Sequence, residues 1–194
     1  AHPHYGGDDL VSIVHNGVIE NFRLLKKRLI DEGYVFRSET DSEVIAHLVA
    51  SCFQKQPLSE NGPLDRLLAA VQTALAQLRG TYGLLMLFRD YPDVLVAARL
   101  GSPLVVGVGT GEHFVASDAS PLAGHTDKIV YLADHQIAMV SADSLQVAHR
   151  DQGRVKHSVE TLQIETADIQ LDGFPHYMFR SEEHTSELQS RAYL

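Results

Sequence analysis

Cysteine is almost missing from this sequence: Cys52 is the only one in 194 residues, so no internal disulfide can form and a reducing compartment, the cytoplasm, fits best. Within EVIAHLVASCF it falls on the apolar face of an expected helix, where it reads as a small core residue and not as a nucleophile. Long apolar runs are missing too, and nothing reaches the length of a membrane span. The opening AHPHYGGDD has neither a basic nor an apolar segment and does not read as a secretory signal. Positive charge is scarce: the net charge is −9 and no basic run is denser than Lys26-Lys27-Arg28. Phosphate backbones need clustered cations, so a nucleic-acid partner is not expected. His2 and His4, in HPH, have no cysteine or carboxylate cluster beside them, so neither a metal site nor another cofactor is expected. Repeats and low-complexity segments are also missing.

What is present suits one well-buried domain, or one domain plus a tail. Asp9 to Val14 reads as a strand. Ile19, Phe22, Leu25 and Leu29 recur at helical spacing, with Gly33 as the C-terminal cap. SETDSEV opens a second helix, Thr40 and Glu43 having capping-box spacing, with apolar positions Val44, Ile45, Leu48, Val49 and Cys52. A third helix runs from about Leu64 to Leu78. After Gly80 the pattern changes to short strands: TYGLLMLF, DVLVAAR, PLVVGVG, HFVAS, KIVYLA, QIAMVS and LQVAH. TYGLLMLF reads as buried on both faces and LQVAH as half-buried. Early helices and late strands predict an α+β arrangement, helices packed on a largely antiparallel sheet system. GVGTGE, residues 107 to 112, precedes a strand pattern and not a helix, so it reads as a hairpin turn and not as a dinucleotide loop. The tail, residues 179–194, is polar, without an apolar face; it reads as disordered or non-native and carries no assigned role.

VHNG, residues 14 to 17, admits two readings. Asn-Gly is the strongest short hairpin signal, because both residues tolerate positive φ. A hairpin should lead into an alternating strand, however, and VIENFRLLKKRL is helical. The functional reading is an oxyanion hole, in which the Asn16 amide and the Gly17 N–H stabilise charge developing on a carbonyl oxygen. Glycine there lets the backbone approach a substrate without a Cβ in the way. Asp41, in SETD, is either a helix-start carboxylate or the acceptor of a substrate ammonium.

Taken together, VHNGVIENF, GYVFRSETDSEVIAHL, GTYGLLML, AARLGSPLVVGVGTGEHFVASD and GFPHYM resemble the glutaminase domains of glucosamine-6-phosphate synthases, over residues 1–178. These are class II glutamine amidotransferases of the N-terminal nucleophile hydrolase type. The resemblance implies a four-layer αββα sandwich and hydrolysis of glutamine, with ammonia passed to fructose 6-phosphate in isomerase domains not found here. It implies amino sugar biosynthesis in a cytoplasmic, homo-oligomeric parent. Asn16 and Gly17 would form the oxyanion hole, Asp41 would bind the α-ammonium of glutamine, and His2 would line the glutamine pocket. His15 reads as a positioning or core residue. The family's nucleophile, a cysteine at the mature N-terminus, has no counterpart: position 1 is Ala1. Its Arg-Trp-Ala-Thr-His-Gly segment is absent as well. The chain therefore reads as an incomplete domain, expected to be inactive by itself and marginally stable, since missing strands would leave open edges. The glutaminase half of phosphoribosylpyrophosphate amidotransferase shares the HNG element and stands as an alternative. So does a non-catalytic module that binds a ligand or a partner.

Overall fold

The computed structural model describes residues 2–60 and 62–161. GFPHYM and the 179–194 tail lie outside the described residues. In chain order the elements are β1 His4–Gly6, β2 Val11–Ile19, α1 Phe22–Asp31, α2 Asp41–Lys55, α3 Pro63–Leu75, β3 Gly80–Phe88 and β4 Tyr91–Leu100. There follow β5 Val105–Val108, β6 His113–Ala116, β7 Lys128–Tyr131, β8 Gln136–Val140, β9 Leu145–His149, β10 Gly153–Arg154 and β11 Glu160–Thr161. The strands form a seven-stranded sheet, β1-β2-β3-β4-β8-β9-β10, and a four-stranded one, β11-β7-β5-β6. Every pairing is antiparallel.

Two apolar clusters define the layers. Helix residues such as Leu29, Leu48 and Val71 pack with Ile13, Leu84, Met86, Val96 and Ile137 on one face of the larger sheet. On its other face Ala97, Ala138, Val140 and Val147 pack with Leu104, Val106, Val130 and Leu132 of the smaller sheet and the residues flanking its strands. This helix–sheet–sheet order supplies three of the four layers of an αββα sandwich; a second helical layer is not among the described residues. The second face is less covered at β2 and β3, where Val14, Val18 and Leu87 are 43%, 65% and 41% exposed.

Local chemistry accounts for the helix ends. Gly33 takes φ +94°, the Tyr34 N–H donates to the Leu29 carbonyl and the Gly33 N–H to that of Ile30, both at 2.9 Å. That double bond pattern is the Schellman stop, and it needs a residue at ease with positive φ. Thr40 caps α2 by accepting from the Glu43 N–H at 3.3 Å. Helix α2 is buried from Ser42 to Phe53 because α1, α3, β1 and β2 surround it, which explains its apolar character on all sides.

Two expectations are corrected. The first strand does not end at Val14; β2 runs through His15-Asn16-Gly17 to Ile19, because β3 pairs with it along its whole length. TYGLLMLF is not buried on both faces, since Leu87 is exposed and Leu85 is only half-buried at the margin of the cluster between the sheets. The seven strands expected after Gly80 all form, and GVGTGE is the turn of the β5–β6 hairpin.

Candidate functional site

The C-terminal half of β2 and the N-terminus of α2 meet at one corner of the larger sheet. Asn16 and Gly17 are opposite Gly83 and Tyr82 of β3, so Asn-Gly is part of a ladder and not a turn. Gly17 has φ +140°, and a Cβ there would lie 2.2 Å from the Thr81 carbonyl oxygen. The glycine is therefore required by the close approach of β3, a reason different from the expected approach of a substrate. Successive side chains of a strand point to opposite faces. His15 is accordingly buried toward α2, whereas Asn16 is exposed on the other side. The Asn16 amide makes no hydrogen bond among the described residues, and its donors remain available.

Asp41 is the first residue of α2. Its Oδ2 accepts from the Ile19 N–H at 2.9 Å, tying the helix start to β2 two residues beyond Gly17. Its side chain is 23% exposed, and Oδ1 lies 3.9 Å from His15 Nδ1. The same ring nitrogen is 3.1 Å from Ser42 Oγ. Burial pushes the His15 imidazole below its ordinary value; Asp41 and the Thr81 carbonyl oppose that, while His2 and His4 reinforce it. The ring is thus neutral near pH 7, beside the Asp41 carboxylate at the start of α2. His2 is exposed and sits edge-on to His4, ring centroids 5.5 Å apart. Asp41 is therefore tied to the strand that carries Asn16 and Gly17, with the Asn16 side chain on the opposite face and His2 an electrostatic neighbour of His15. The contact among His15, Ser42 and Asp41 carries no sequence signal, because the residues are 26 and 27 positions apart.

A cavity of about 450 Å³ lies elsewhere, lined by His4, Asp8, Asp9, Arg37, Glu43 and His47 among others; Asn16, Gly17 and Asp41 are not in its wall. Two of its polar side chains, Glu43 and His47, are hydrogen-bonded to the surrounding backbone. Burial by itself would raise the Glu43 carboxyl, but hydrogen bonds from the Ser38 hydroxyl and the Arg37 and Ser38 N–H groups outweigh it and hold the carboxyl low. His47 Nδ1 accepts from the Gly7 N–H at 3.2 Å, and burial holds this ring neutral. Cys52 is buried within α2, where burial pushes its thiol up. No helix of the described residues is long and apolar enough to cross a membrane.

Comparison with known proteins places these features in context. The family model described as glutamine amidotransferase domain matches residues 2–124. A glutamine–fructose-6-phosphate aminotransferase (isomerizing) of Chlorobaculum tepidum is 41% identical over 180 residues, 93% of this chain and 28% of the relative. The protein of the same name from Bacteroides thetaiotaomicron is 38% identical over 181 residues, again 93% and 28%. The chain thus spans little more than a quarter of these relatives' length. Among solved structures, glutamine phosphoribosylpyrophosphate amidotransferase from B. subtilis matches with a TM-score of 0.57 at 20% identity, over 79% of this chain and 32% of that one. A glutamine aminotransferase class-II domain protein from Silicibacter pomeroyi matches with a TM-score of 0.51 at 20% identity, over 77% and 70%. At such identities the structural likeness speaks for the fold alone.

Proposed function

This chain belongs to the glutamine amidotransferase domain family, and from that premise we propose that residues 1–178 are the glutamine-hydrolysing part of a glutamine–fructose-6-phosphate aminotransferase. The parent protein would pass ammonia from glutamine to fructose 6-phosphate in isomerase domains outside this sequence, as a cytoplasmic homo-oligomer. Relatives of that name at about 40% identity support this reading over the phosphoribosylpyrophosphate enzyme, whose likeness is one of fold.

The reading rests on one observation above all: the Ile19 N–H to Asp41 hydrogen bond, which brings a helix-start carboxylate to the strand that carries Asn16 and Gly17. An amino acid with its ammonium on Asp41 would present its side chain along β2. The Asn16 amide and the Gly17 N–H are the donors for the oxyanion formed when the side-chain carbonyl is attacked. The Ile19 N–H holds the Asp41 carboxylate at the α2 N-terminus through Oδ2 and leaves Oδ1 without a hydrogen bond among the described residues. His2 lines the pocket for the bound glutamine. Cys52, in the core of α2, is not the attacking thiolate. A second reading is a module that binds glutamine without hydrolysing it.

Fusing a cysteine-initiated segment ahead of Ala1 and assaying glutamate release tests both. Hydrolysis should appear in the fusion only. Asn16→Ala should then cost on the order of 100- to 1000-fold in turnover. Asp41→Asn should chiefly raise KM. Fusion proteins that bind glutamine yet never release glutamate would leave the binding module standing, and unchanged kinetics in both variants would place the site elsewhere.

A further inference from the structure

We propose that His15 is a positioning residue for the substrate ammonium: its neutral ring leaves Asp41 Oδ1 open, and its protonated ring takes that oxygen in competition with the ammonium. This rests on the assignment of Asp41 made above. Of the two carboxylate oxygens, Oδ2 is committed to the Ile19 N–H at 2.9 Å. Oδ1 is the one near His15 Nδ1, at 3.9 Å, and the side chain keeps an exposed fraction of 23% through which a ligand can reach it. In the tautomer with the neutral ring's proton on Nε2, Nδ1 accepts from the Ser42 hydroxyl at 3.1 Å. With its Nδ1 lone pair engaged by Ser42, the ring carries no charge, and nothing on His15 neutralises the carboxylate.

A second proton changes this geometry. It lands on Nδ1, so the Ser42 hydroxyl at 3.1 Å must rotate to accept it, and the ring becomes a cation at ion-pair distance, 3.9 Å, from Oδ1. The ring has no open space to swing into, because its side chain is 1% exposed. A cation fixed there would partly satisfy the carboxylate before any substrate arrives. The ionisable groups that act most strongly on His15 are Asp41 from α2 and His2 and His4 from the β1 segment; from β3 it is the uncharged Thr81 carbonyl. Burial drives the ring below its ordinary value of 6.5, so the open form prevails at neutral pH and the competing form is populated under acid conditions.

The test uses the full chain, L-glutamine as the probe, calorimetric affinities between about pH 5 and 8, and NMR titration of the histidine rings. Affinity for glutamine should fall by about 5- to 150-fold as His15 takes up its proton, the usual span of coupling between two bound species. His15→Gln should bind more weakly at neutral pH but lose this dependence, whereas His4→Gln should keep it. Asp41→Asn should move the His15 midpoint to lower pH, a readout that needs no ligand and that a packing role would not produce. Retained pH dependence in His15→Gln, its loss in His4→Gln, or an unmoved midpoint in Asp41→Asn would overturn the inference while leaving the proposed function intact. No glutamine binding at any pH would remove the functional reading, and the competition with it. If His15→Gln does not fold, the Asp41→Asn midpoint still decides the matter.

Discussion

Along β2, the residues facing α2 and those facing away live under different constraints. Val11, Ile13 and Ile19 are fully buried and His15 is 6% exposed, while Val14 and Val18 on the opposite face are 43% and 65% exposed. Asn16 lies on that open face with its amide uncommitted. One face of a single strand is thus given to packing against helices and the other to presenting donors. Asp41 joins the two, because its carboxylate reaches the strand from the N-terminus of the helix that packs beneath it. A rigid, buried face is what holds an exposed amide in a fixed place.

The largest blow to this arrangement should come from Gly17→Ala. A Cβ 2.2 Å from a backbone oxygen, at φ +140°, has no flexible neighbour that can yield. The strands must separate, and a loss of at least about 3 kcal/mol in urea unfolding is expected. A variant as stable as the parent would mean that β3 does not press on β2 there. Next in size is a matched pair. Ile13→Ala, on the buried face, should cost about 2–5 kcal/mol. Val14→Ala, its neighbour on the open face, should stay within about 0.5 kcal/mol. Equal losses would show that the open face is covered in solution.

The smallest and most informative effect is that of pH. Burial lowers both His15 and His47 from 6.5, so below that pH the unfolded chain binds protons that the folded chain refuses. Their contribution is full above 6.5 and declines as pH falls from there toward the depressed folded values. Glu43, held below 4.5 despite its burial, adds stability that is present above 4.5 and is lost as pH falls through its folded value. The urea midpoint should therefore decline in two stages, first below neutrality and again in the carboxylate range. A midpoint unchanged between about pH 7 and 5 would mean that the buried face of β2 and α2 does not exclude protons.

The helices were legible because their information is local. A 3.6-residue apolar period, Thr40 before Glu43 and Gly33 after Asp31 each announce an element or its end, and the structure uses all three. The late strands were legible for a similar reason, short apolar runs divided by turn residues. β1, β10 and β11 were not, at two or three residues each, because nothing so short carries a period. Asn-Gly misled as to where β2 ends, since its turn propensity is local whereas its partners Gly83 and Tyr82 are 67 and 65 residues away. Glu43 showed its capping-box position but not the destination of its carboxylate, which reaches back past Thr40 to Arg37 and Ser38.

By itself the amino-acid order determined the α+β class, the places where helices start and stop, and the family whose motifs Asn16, Gly17 and Asp41 belong to. Only the tertiary structure decided that Gly17 answers to a neighbouring strand, that Asp41 is bound to Ile19, and that His15 sits between Ser42 and that carboxylate. The physical reason is range. Propensity, capping and periodicity act within a few residues, whereas steric approach, burial and charge act between groups that folding alone brings within 4 Å.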